Sequence, residues 1–168
     1  MDTSAFWHLI EKSRDESSRC EEQAERLVEL LRNLNPEDIV EFKKHFSKCL
    51  DDSYRWDLWA VAYIVHGGCS DDSFEYFRCW LIGQGRRYFE AAQASPERAA
   101  DNAVPGEYAQ CEDLLYVANR AYEAVTGKED MPRSKRSRAA EPAGVEWDED
   151  KVEKLFPQLA KRFEYGDV

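Results

Sequence analysis

The sequence lacks any apolar run long enough to cross a membrane. A spanning helix needs about 20 consecutive apolar residues, whereas the longest apolar stretch here runs only from Leu58 to Val65. The first residues, Met1 to Ser4, contain an early acid and no basic segment followed by an apolar one, so they do not resemble a secretory signal. These absences exclude a membrane-embedded protein and lead us to expect a globular chain.

Cysteine pairs at the spacing of a known motif are also absent. The cysteines are odd in number and irregularly placed, and no Cys-x-x-Cys occurs. This pattern lacks the disulfide framework of small secreted domains, and a chain of 168 residues can bury a sufficient core without crosslinks. The sequence therefore predicts reduced thiols and a cytoplasmic location. The five residues concerned are Cys20, Cys49, Cys69, Cys79 and Cys111.

Metal-binding patterns are missing too. Histidine is scarce, with only His8, His45 and His66. His66 and Cys69 stand at a spacing found in half of a zinc site, but no second pair at such a spacing follows. The sequence also has no Asp-x-Asp-x-Asp-Gly loop, which would indicate a calcium site. We therefore predict neither a metal nor any other cofactor.

Positive charge is in deficit. The chain has 23 basic and 34 acidic residues, which gives a formal net charge of −11. A field of that sign repels phosphate backbones and anionic lipid headgroups. The composition therefore predicts no nucleic-acid partner and no membrane partner. It is typical of a protein that is simply soluble, and it would also suit a basic protein partner.

What the sequence does contain is a helical period. Apolar residues recur every third or fourth position through most of the chain, as they do on helices with one buried face. We expect an all-α fold, a single globular domain of about six or seven helices. Residues typical of helix N-caps precede the apolar stripes: Asp2, Thr3 or Ser4; Ser17 or Ser18; Asn35; and Ser70.

The segment from Tyr54 to Val65 is apolar nearly all round. A buried strand is one interpretation of so short a run. Its length of about twelve residues and the helix formers Ala60 and Ala62 favour a helix instead. We interpret it as a buried, Trp-rich central helix around which the others pack.

Two glycines interrupt the helix that follows Ser70. The periodic pattern predicts that this helix runs to about Ala94, with Gly83 and Gly85 inside it. Each glycine costs about 1 kcal/mol relative to alanine in a helix interior. Their presence indicates either a kink or the close approach of a neighbouring element.

The composition changes after Gly127. Residues Lys128 to Glu141 carry five bases and three acids, which leaves −13 on the rest of the chain. We predict a helical domain over 1–127, a flexible basic linker over 128–146 and an amphipathic C-terminal helix over 147–168, kinked or restarted at Pro157. The linker could lie along the acidic body. The final helix could dock either on its own core or on another molecule.

The most distinctive segment is Gly67-Gly68-Cys69-Ser70-Asp71-Asp72. A thiol just before a helix N-terminus faces the positive end of the helix dipole, which lowers its pKa. In an enzyme Cys69 would be the nucleophile and nearby His66 the base. Against that role, two aspartates at the same helix start disfavour the thiolate, and the glycines suffice to form a turn. A structural turn is the interpretation we favour.

Charged residues within the apolar helices are the remaining candidates for a ligand site. Arg55 and Asp57 begin the predicted central helix, and Arg78 lies on an aromatic-rich helix. Charges in such places need partners, and we expect Arg78 to pair with Asp57. The alternatives are a structural ion pair or a ligand pocket, which Asp71 and Asp72 would also line. For these two aspartates, helix capping is the simpler role.

These residues together resemble a family of bacterial domains known only as domain of unknown function 4240. The resemblance covers about residues 6–127 and leaves the tail uncovered. It implies a bacterial source but no activity, cofactor or catalytic residue. The motifs that carry it are Phe6-Trp7, Tyr54-Arg55-Trp56-Asp57-Leu58-Trp59, Gly67-Gly68-Cys69-Ser70-Asp71-Asp72, Phe74-x-x-Phe77-Arg78-x-Trp80-Leu81 and Cys111-Glu112-x-Leu114-Leu115-Tyr116.

Two functions remain open at this stage. The first is a non-catalytic protein-interaction or regulatory module, which would bind a basic partner through an acidic face or through the terminal helix. The second is a small enzyme or ligand-binding domain with a pocket beside Cys69. We expect the first, because the chain has no convincing catalytic set. Burial distinguishes them, since an open cleft with His66 in reach of Cys69 would favour chemistry.

Overall fold

Helices are the regular secondary structure in the part of the chain that the computed structural model describes, residues 1–14, 19–133 and 139–164. In these residues the only β-type pairing is one isolated bridge between Arg55 and Ala143. The all-α fold class is thereby confirmed. The α-helices are α1 Thr3–Ser13, α2 Cys20–Leu31, α3 Pro36–Asp52, α4 Trp56–His66, α5 Asp71–Gly83, α6 Arg86–Ala94, α7 Val117–Thr126 and α8 Pro157–Arg162. Short 3₁₀ helices span Pro96–Ala100, Glu112–Leu115 and Glu149–Lys154.

Helices α1, α3 and α5 begin at capping residues that the sequence predicts, whereas α2 has Arg19 at its N-cap position. Asp2 accepts a hydrogen bond from the Ala5 amide at 2.8 Å and begins α1. Asn35 caps α3 in the same way, with Pro36 as its first residue, and Ser70 caps α5. The predicted caps Ser17 and Ser18 lie outside the described residues.

Helix α4 is the expected helix rather than a strand, and it lies at the centre of the fold. It packs against α5, against Pro96–Ala100 and against the C-terminal segment. Its buried side consists of aliphatic residues, among them Leu58, Val61 and Val65. The expectation that its tryptophans are buried is wrong, since Trp56 and Trp59 are only half-buried. An indole N–H needs a hydrogen-bond acceptor, and that of Trp59 reaches the Cys69 carbonyl at 3.0 Å, at the edge of the core.

The predicted helix from Ser70 to Ala94 is in fact two helices. Helix α5 ends at Gly83, and Gly85 has a φ of +97°, which favours glycine and breaks the helical path before α6. Gly83 serves a close approach, because a Cβ added there would lie 3.0 Å from Leu114 and 3.1 Å from the Gln23 amide. Gly85 therefore provides the bend, and Gly83 allows the close contact.

The C-terminal segment folds back on its own domain. Pro157 is the first residue of α8, so the chain restarts there after Glu149–Lys154. Val152, Leu159 and Phe163 are buried. Arg162 donates hydrogen bonds to the carbonyls of Ala100 at 3.1 Å and Ala103 at 2.7 Å. Part of the apolar stripe predicted for this segment is therefore covered by the core, whereas Leu155 is 52% exposed.

The end of the predicted linker is attached to the start of α4. The Ala143 amide donates to the Tyr54 carbonyl and its carbonyl accepts from the Trp56 amide, both at 2.9 Å. The Trp147 indole N–H donates to the Trp56 carbonyl at 2.7 Å. Residues 134–138, which include most of the basic run, lie outside the described residues. Flexibility of the linker stays a prediction.

The expectation of five reduced thiols is wrong for two of them. Cys20 and Cys111 form a disulfide, with their Cα atoms 5.3 Å apart and a separation of 91 positions in sequence. The bond joins the start of α2 to the residue before Glu112–Leu115, and these two elements pack together. Cysteine spacing could not reveal this pair, because helix packing alone brings the residues together. Cys49, Cys69 and Cys79 are outside the disulfide.

None of the helices in the three described ranges combines the length and the apolar composition needed to cross a bilayer.

Candidate functional site

Arg55 and Asp57 form an ion pair with each other at the start of α4. Arg55 Nη2 lies 2.6 Å from Asp57 Oδ2, and its Nη1 donates to the Gln93 carbonyl at 2.9 Å. Asp57 also accepts from the Leu58 amide at 2.7 Å. The expected pairing of Asp57 with Arg78 is wrong, because the nearer arginine takes that carboxylate. This ion pair links α4 to α6 and lies apart from the other candidate residues.

The Cys69 thiol is held in a turn rather than activated. Its Sγ donates to the Ser70 carbonyl at 3.6 Å. Burial raises the pKa of Cys69 to about 12, and Asp71 adds to the increase, although Arg78 opposes it. The expected lowering by the helix dipole is therefore outweighed by desolvation. A thiol that stays protonated at neutral pH is a poor nucleophile.

His66 is not placed to act as a base for the Cys69 thiol. Its ring packs edge-on against Phe77, with 5.8 Å between centroids, and lies 6.0 Å from the Tyr108 ring. Neither ring nitrogen has a hydrogen bond of good geometry in the described part of the chain. Burial lowers the pKa of His66, and the backbone of Ala109 opposes this only in part. His66 and Cys69 thus form no catalytic pair by hydrogen bonding.

We expect Cys69 to react slowly with iodoacetamide in the native protein. Alkylation requires the thiolate, and with a pKa of about 12 only about one thiol in ten thousand is ionised at pH 8. The rate should therefore be roughly a thousandfold below that of an ordinary exposed cysteine. Peptide mass spectrometry after timed quenching measures it, with the urea-unfolded chain as control. Labelling of native Cys69 as fast as in urea would contradict this account.

Arg78 and Asp71 do come together, at a small cavity of about 220 Å³ that Tyr54 also lines. The Arg78 guanidinium lies 4.7 Å from the centres of both the Tyr54 and the Phe74 rings. Its Nη1 donates to the Leu50 carbonyl at 2.7 Å. The side chain is only 7% exposed, and its Nε has no hydrogen-bond partner in the described residues. Burial lowers the pKa of Arg78, while Glu75 is the largest opposing influence.

Acidic and tyrosine side chains share one surface next to this cavity. The Tyr116 hydroxyl donates to Glu112 Oε1 at 3.1 Å, and this hydrogen bond raises the pKa of Tyr116, with a further contribution from Glu75. Partial burial and then Glu112 and Asp72 raise the pKa of Tyr76. The 3₁₀ helix that begins at Glu112 packs on α5, and this packing brings the groups together. We call this surface the acidic–tyrosine face, and it consists of Asp71, Asp72, Glu75, Tyr76, Glu112 and Tyr116.

Helix packing builds this face from two stretches of the chain. The first turns of α5 present one part of it, and the Glu112–Leu115 helix, which packs on α5, presents the rest. Asp72 and Tyr76 are four residues apart, as are Glu112 and Tyr116, so each pair shares a helical surface. The sequence analysis did not find Tyr76, Glu112 or Tyr116. That spacing was the available signal, but it did not show that the two pairs meet.

Acidic residues are numerous, yet in residues 1–14, 19–133 and 139–164 no group of three His, Cys, Asp or Glu side chains is placed to hold a metal ion. One acid of the face, Glu112, instead accepts a hydrogen bond from the Tyr116 hydroxyl. The chemistry that the face offers is therefore hydrogen bonding and charge attraction.

Comparison with known proteins gives one match. No curated protein and no solved structure is significantly similar to this chain. The model of a family described as protein of unknown function (DUF4240) matches residues 1–124. That range includes α1 to α6, the disulfide and most of α7, but not the C-terminal segment that covers α4. The match confirms the resemblance that the motifs indicated, and the chain belongs to this DUF4240 family.

Proposed function

We propose that the protein is a non-catalytic interaction module that binds a basic protein partner through its acidic–tyrosine face. The observation that carries the proposal is the clustering of four carboxylates with two tyrosines on one surface. Tyr116 is 49% exposed there, with its hydroxyl already bound to Glu112. We also propose that the protein comes from a bacterium, as the family resemblance implies.

The chemistry of the face suits lysine and arginine side chains. Carboxylates accept charge-assisted hydrogen bonds from ammonium and guanidinium groups. Tyrosine rings add attraction to cations and contact area at low entropic cost. Nearby positive charge is limited, because Arg78 is buried and Lys43 donates to the Leu115 carbonyl at 2.6 Å. A basic segment would therefore meet a surface whose potential complements its own.

Two other forms of the hypothesis have less support. Binding through the terminal helix would require apolar residues that are already packed, since Leu159 is only 7% and Phe163 only 3% exposed. An enzyme based on Cys69 would require a thiolate, and burial raises the pKa of that thiol to about 12.

The test is the affinity for a short arginine-rich peptide, measured by fluorescence anisotropy. The variant combines Asp71→Asn, Asp72→Asn, Glu75→Gln and Glu112→Gln, which keeps the shape of the face and removes its charge. Surface charge pairs contribute about 0.2–1 kcal/mol each, so the loss of four should cost about 0.8–4 kcal/mol and weaken binding by at least about fourfold. Circular dichroism would verify that the variant remains folded.

A matched control separates the face from net charge alone. Glu146→Gln, Glu149→Gln, Asp150→Asn and Glu153→Gln remove the same number of exposed acids from the C-terminal segment. This control should weaken peptide binding no more than about twofold, because charges far from the contact are screened. Equal losses in both variants would mean that the peptide responds only to net charge, and the proposal would be wrong.

The Arg78 cavity supports a second candidate function, the binding of a small zwitterion. A nine-tenths buried guanidinium with a hydrogen-bond donor left over suits a carboxylate. Asp71 on the same wall suits an ammonium group. The cavity volume of about 220 Å³ limits the ligand to roughly the size of an amino acid. Binding of a zwitterion would require the Arg78 guanidinium, whereas binding of the basic peptide would not.

We propose a cytoplasmic location for the module, as the odd number and irregular spacing of its cysteines suggested. The Cys20–Cys111 disulfide bears on this proposal, because reducing compartments keep such pairs as thiols. Alkylation of the chain inside its host, followed by mass measurement, would show which form exists there. Blocked thiols at both positions would support the cytoplasm, and an intact disulfide would exclude it.

A further inference from the structure

A second, larger cavity opens on the side of the fold where the disulfide lies. Its volume is about 810 Å³, which is within the range of small-molecule sites, roughly 300–1,000 Å³. The end of α5, the start of α2 and the loop that follows Pro96–Ala100 form its main walls, and both disulfide cysteines line it. Its lining shares no residue with the acidic–tyrosine face or with the Arg78 cavity, so ligand binding here can be tested separately from the proposed partner binding.

Side-chain amides are a main polar component of the cavity wall, and one of them is held in a fixed orientation. Gln84 Oε1 accepts from Arg14 Nη2 at 3.1 Å and from Asn102 Nδ2 at 3.0 Å. Its Nε2 donates to the Trp80 carbonyl at 3.3 Å. Gln110 adds another amide to the wall. Amides carry both donors and acceptors, which is what a hydroxyl group requires of its binding site.

Two aromatic side chains face the same space. Trp80 is half-buried and rigidly supported, stacked on Phe77 with 5.7 Å between centroids and edge-on to Tyr88 at 6.0 Å. Tyr108 is 79% exposed, and Val104 on the same rim is 50% exposed. So large an aromatic surface left in solvent beside a polar cavity marks a contact surface.

The described residues that line the cavity carry balanced charges, although the chain carries −11. Its described lining residues include two arginines, Arg14 and Arg19, and two glutamates, Glu21 and Glu107. A strongly anionic or cationic ligand would gain little net attraction from such a wall. Neutral polar groups would be matched by the amides instead.

We propose that this cavity binds a neutral, polyhydroxylated ligand, namely a short oligosaccharide. A sugar ring has apolar C–H faces that pack on aromatic rings, here Tyr108 and the exposed part of Trp80. Its hydroxyl groups at the ring edge suit amides that donate and accept. The Cys20–Cys111 bond fixes two walls relative to each other, and such rigidity reduces the entropy lost on binding.

The test uses neutral trisaccharides, namely maltotriose, cellotriose and tri-N-acetylchitotriose, with the anionic trigalacturonate for comparison. Saturation-transfer NMR and calorimetry on the full chain measure binding. We expect at least one neutral sugar to bind with a Kd of about 1 mM or tighter. Tyr108→Ala should weaken that binding by about tenfold, and trigalacturonate should bind less well than the neutral sugar.

Tyr116→Ala is the matched control, because this tyrosine is also exposed but lies on the acidic–tyrosine face. It should leave sugar binding unchanged, while Tyr108→Ala should leave arginine-peptide binding unchanged, so each surface is tested independently. Absence of binding by all three neutral sugars would overturn the inference. A preference for trigalacturonate, or full sugar binding by Tyr108→Ala, would overturn it equally.

Discussion

Replacing both Cys20 and Cys111 by alanine is expected to lower the free energy of unfolding by about 4 kcal/mol. The bond closes a loop of 91 residues, and a crosslink stabilises a protein mainly by restricting its unfolded chain, more so for long loops. Urea denaturation followed by tryptophan fluorescence measures the change. The loss is large because a domain of this size has only about 5–15 kcal/mol of stability in total.

The same experiment contains its own control. Dithiothreitol should destabilise the natural chain by a similar amount and should leave the double variant unchanged, because the variant has no bond to reduce. The thiols of Cys49, Cys69 and Cys79 are present in both chains and cannot account for a difference. A natural chain whose urea midpoint is insensitive to the reductant would contradict the stabilising role of the bond.

Removing residues 128–168 is expected to lower the free energy of unfolding by about 5 kcal/mol. The deletion takes away the burial of Val152, Leu159 and Phe163. It also uncovers the tryptophans of α4, since the Trp147 ring lies 5.8 Å from Trp56 and 6.3 Å from Trp59. Thermal and urea denaturation of the shortened chain provide the measurement.

Point variants distinguish packing from mere length. Phe163→Ala alone should cost about 3 kcal/mol, as is usual for a buried phenylalanine. Leu155→Ala should change stability by less than about 0.5 kcal/mol, because Leu155 is 52% exposed. If a chain of residues 1–127 were as stable as the whole protein, the C-terminal segment would be an appendage and not part of the core.

Local structure could be predicted from the sequence because its causes are local. Caps such as Asn35 and Ser70 act on amides three residues away, and the apolar stripes need only the helical period. The restart at Pro157 follows from its missing amide hydrogen. The break at Gly85 was indicated only as one of two alternatives, because a glycine allows a bend but does not require it.

Contacts between distant segments could not be predicted, and these contacts form the candidate site. Cys20 meets Cys111 only because their elements pack together. Arg55 and Asp57 are only two residues apart in sequence. The sequence nevertheless did not show that Arg55 also bonds to Gln93 and so links α4 to α6. Likewise, Tyr76 and Glu112 form one surface only because two helices place them side by side. A single sequence contains no direct signal for such contacts between distant segments.

At Cys69, burial reverses the direction of the pKa shift that the sequence motif suggested. A cysteine just before a helix N-terminus suggested a lowered pKa, yet desolvation raises that pKa to about 12. The sequence could indicate the turn and the neighbouring aspartates, but not how much water reaches the sulfur.

The most direct test of the proposed function is an amide NMR titration of the full chain with the arginine-rich peptide. The account predicts that the shifts concentrate at Asp71, Asp72, Tyr76 and Glu112 to Tyr116, and that they decline steeply as salt is added. Shifts confined to the C-terminal segment, or spread evenly over all acidic surfaces, would contradict it.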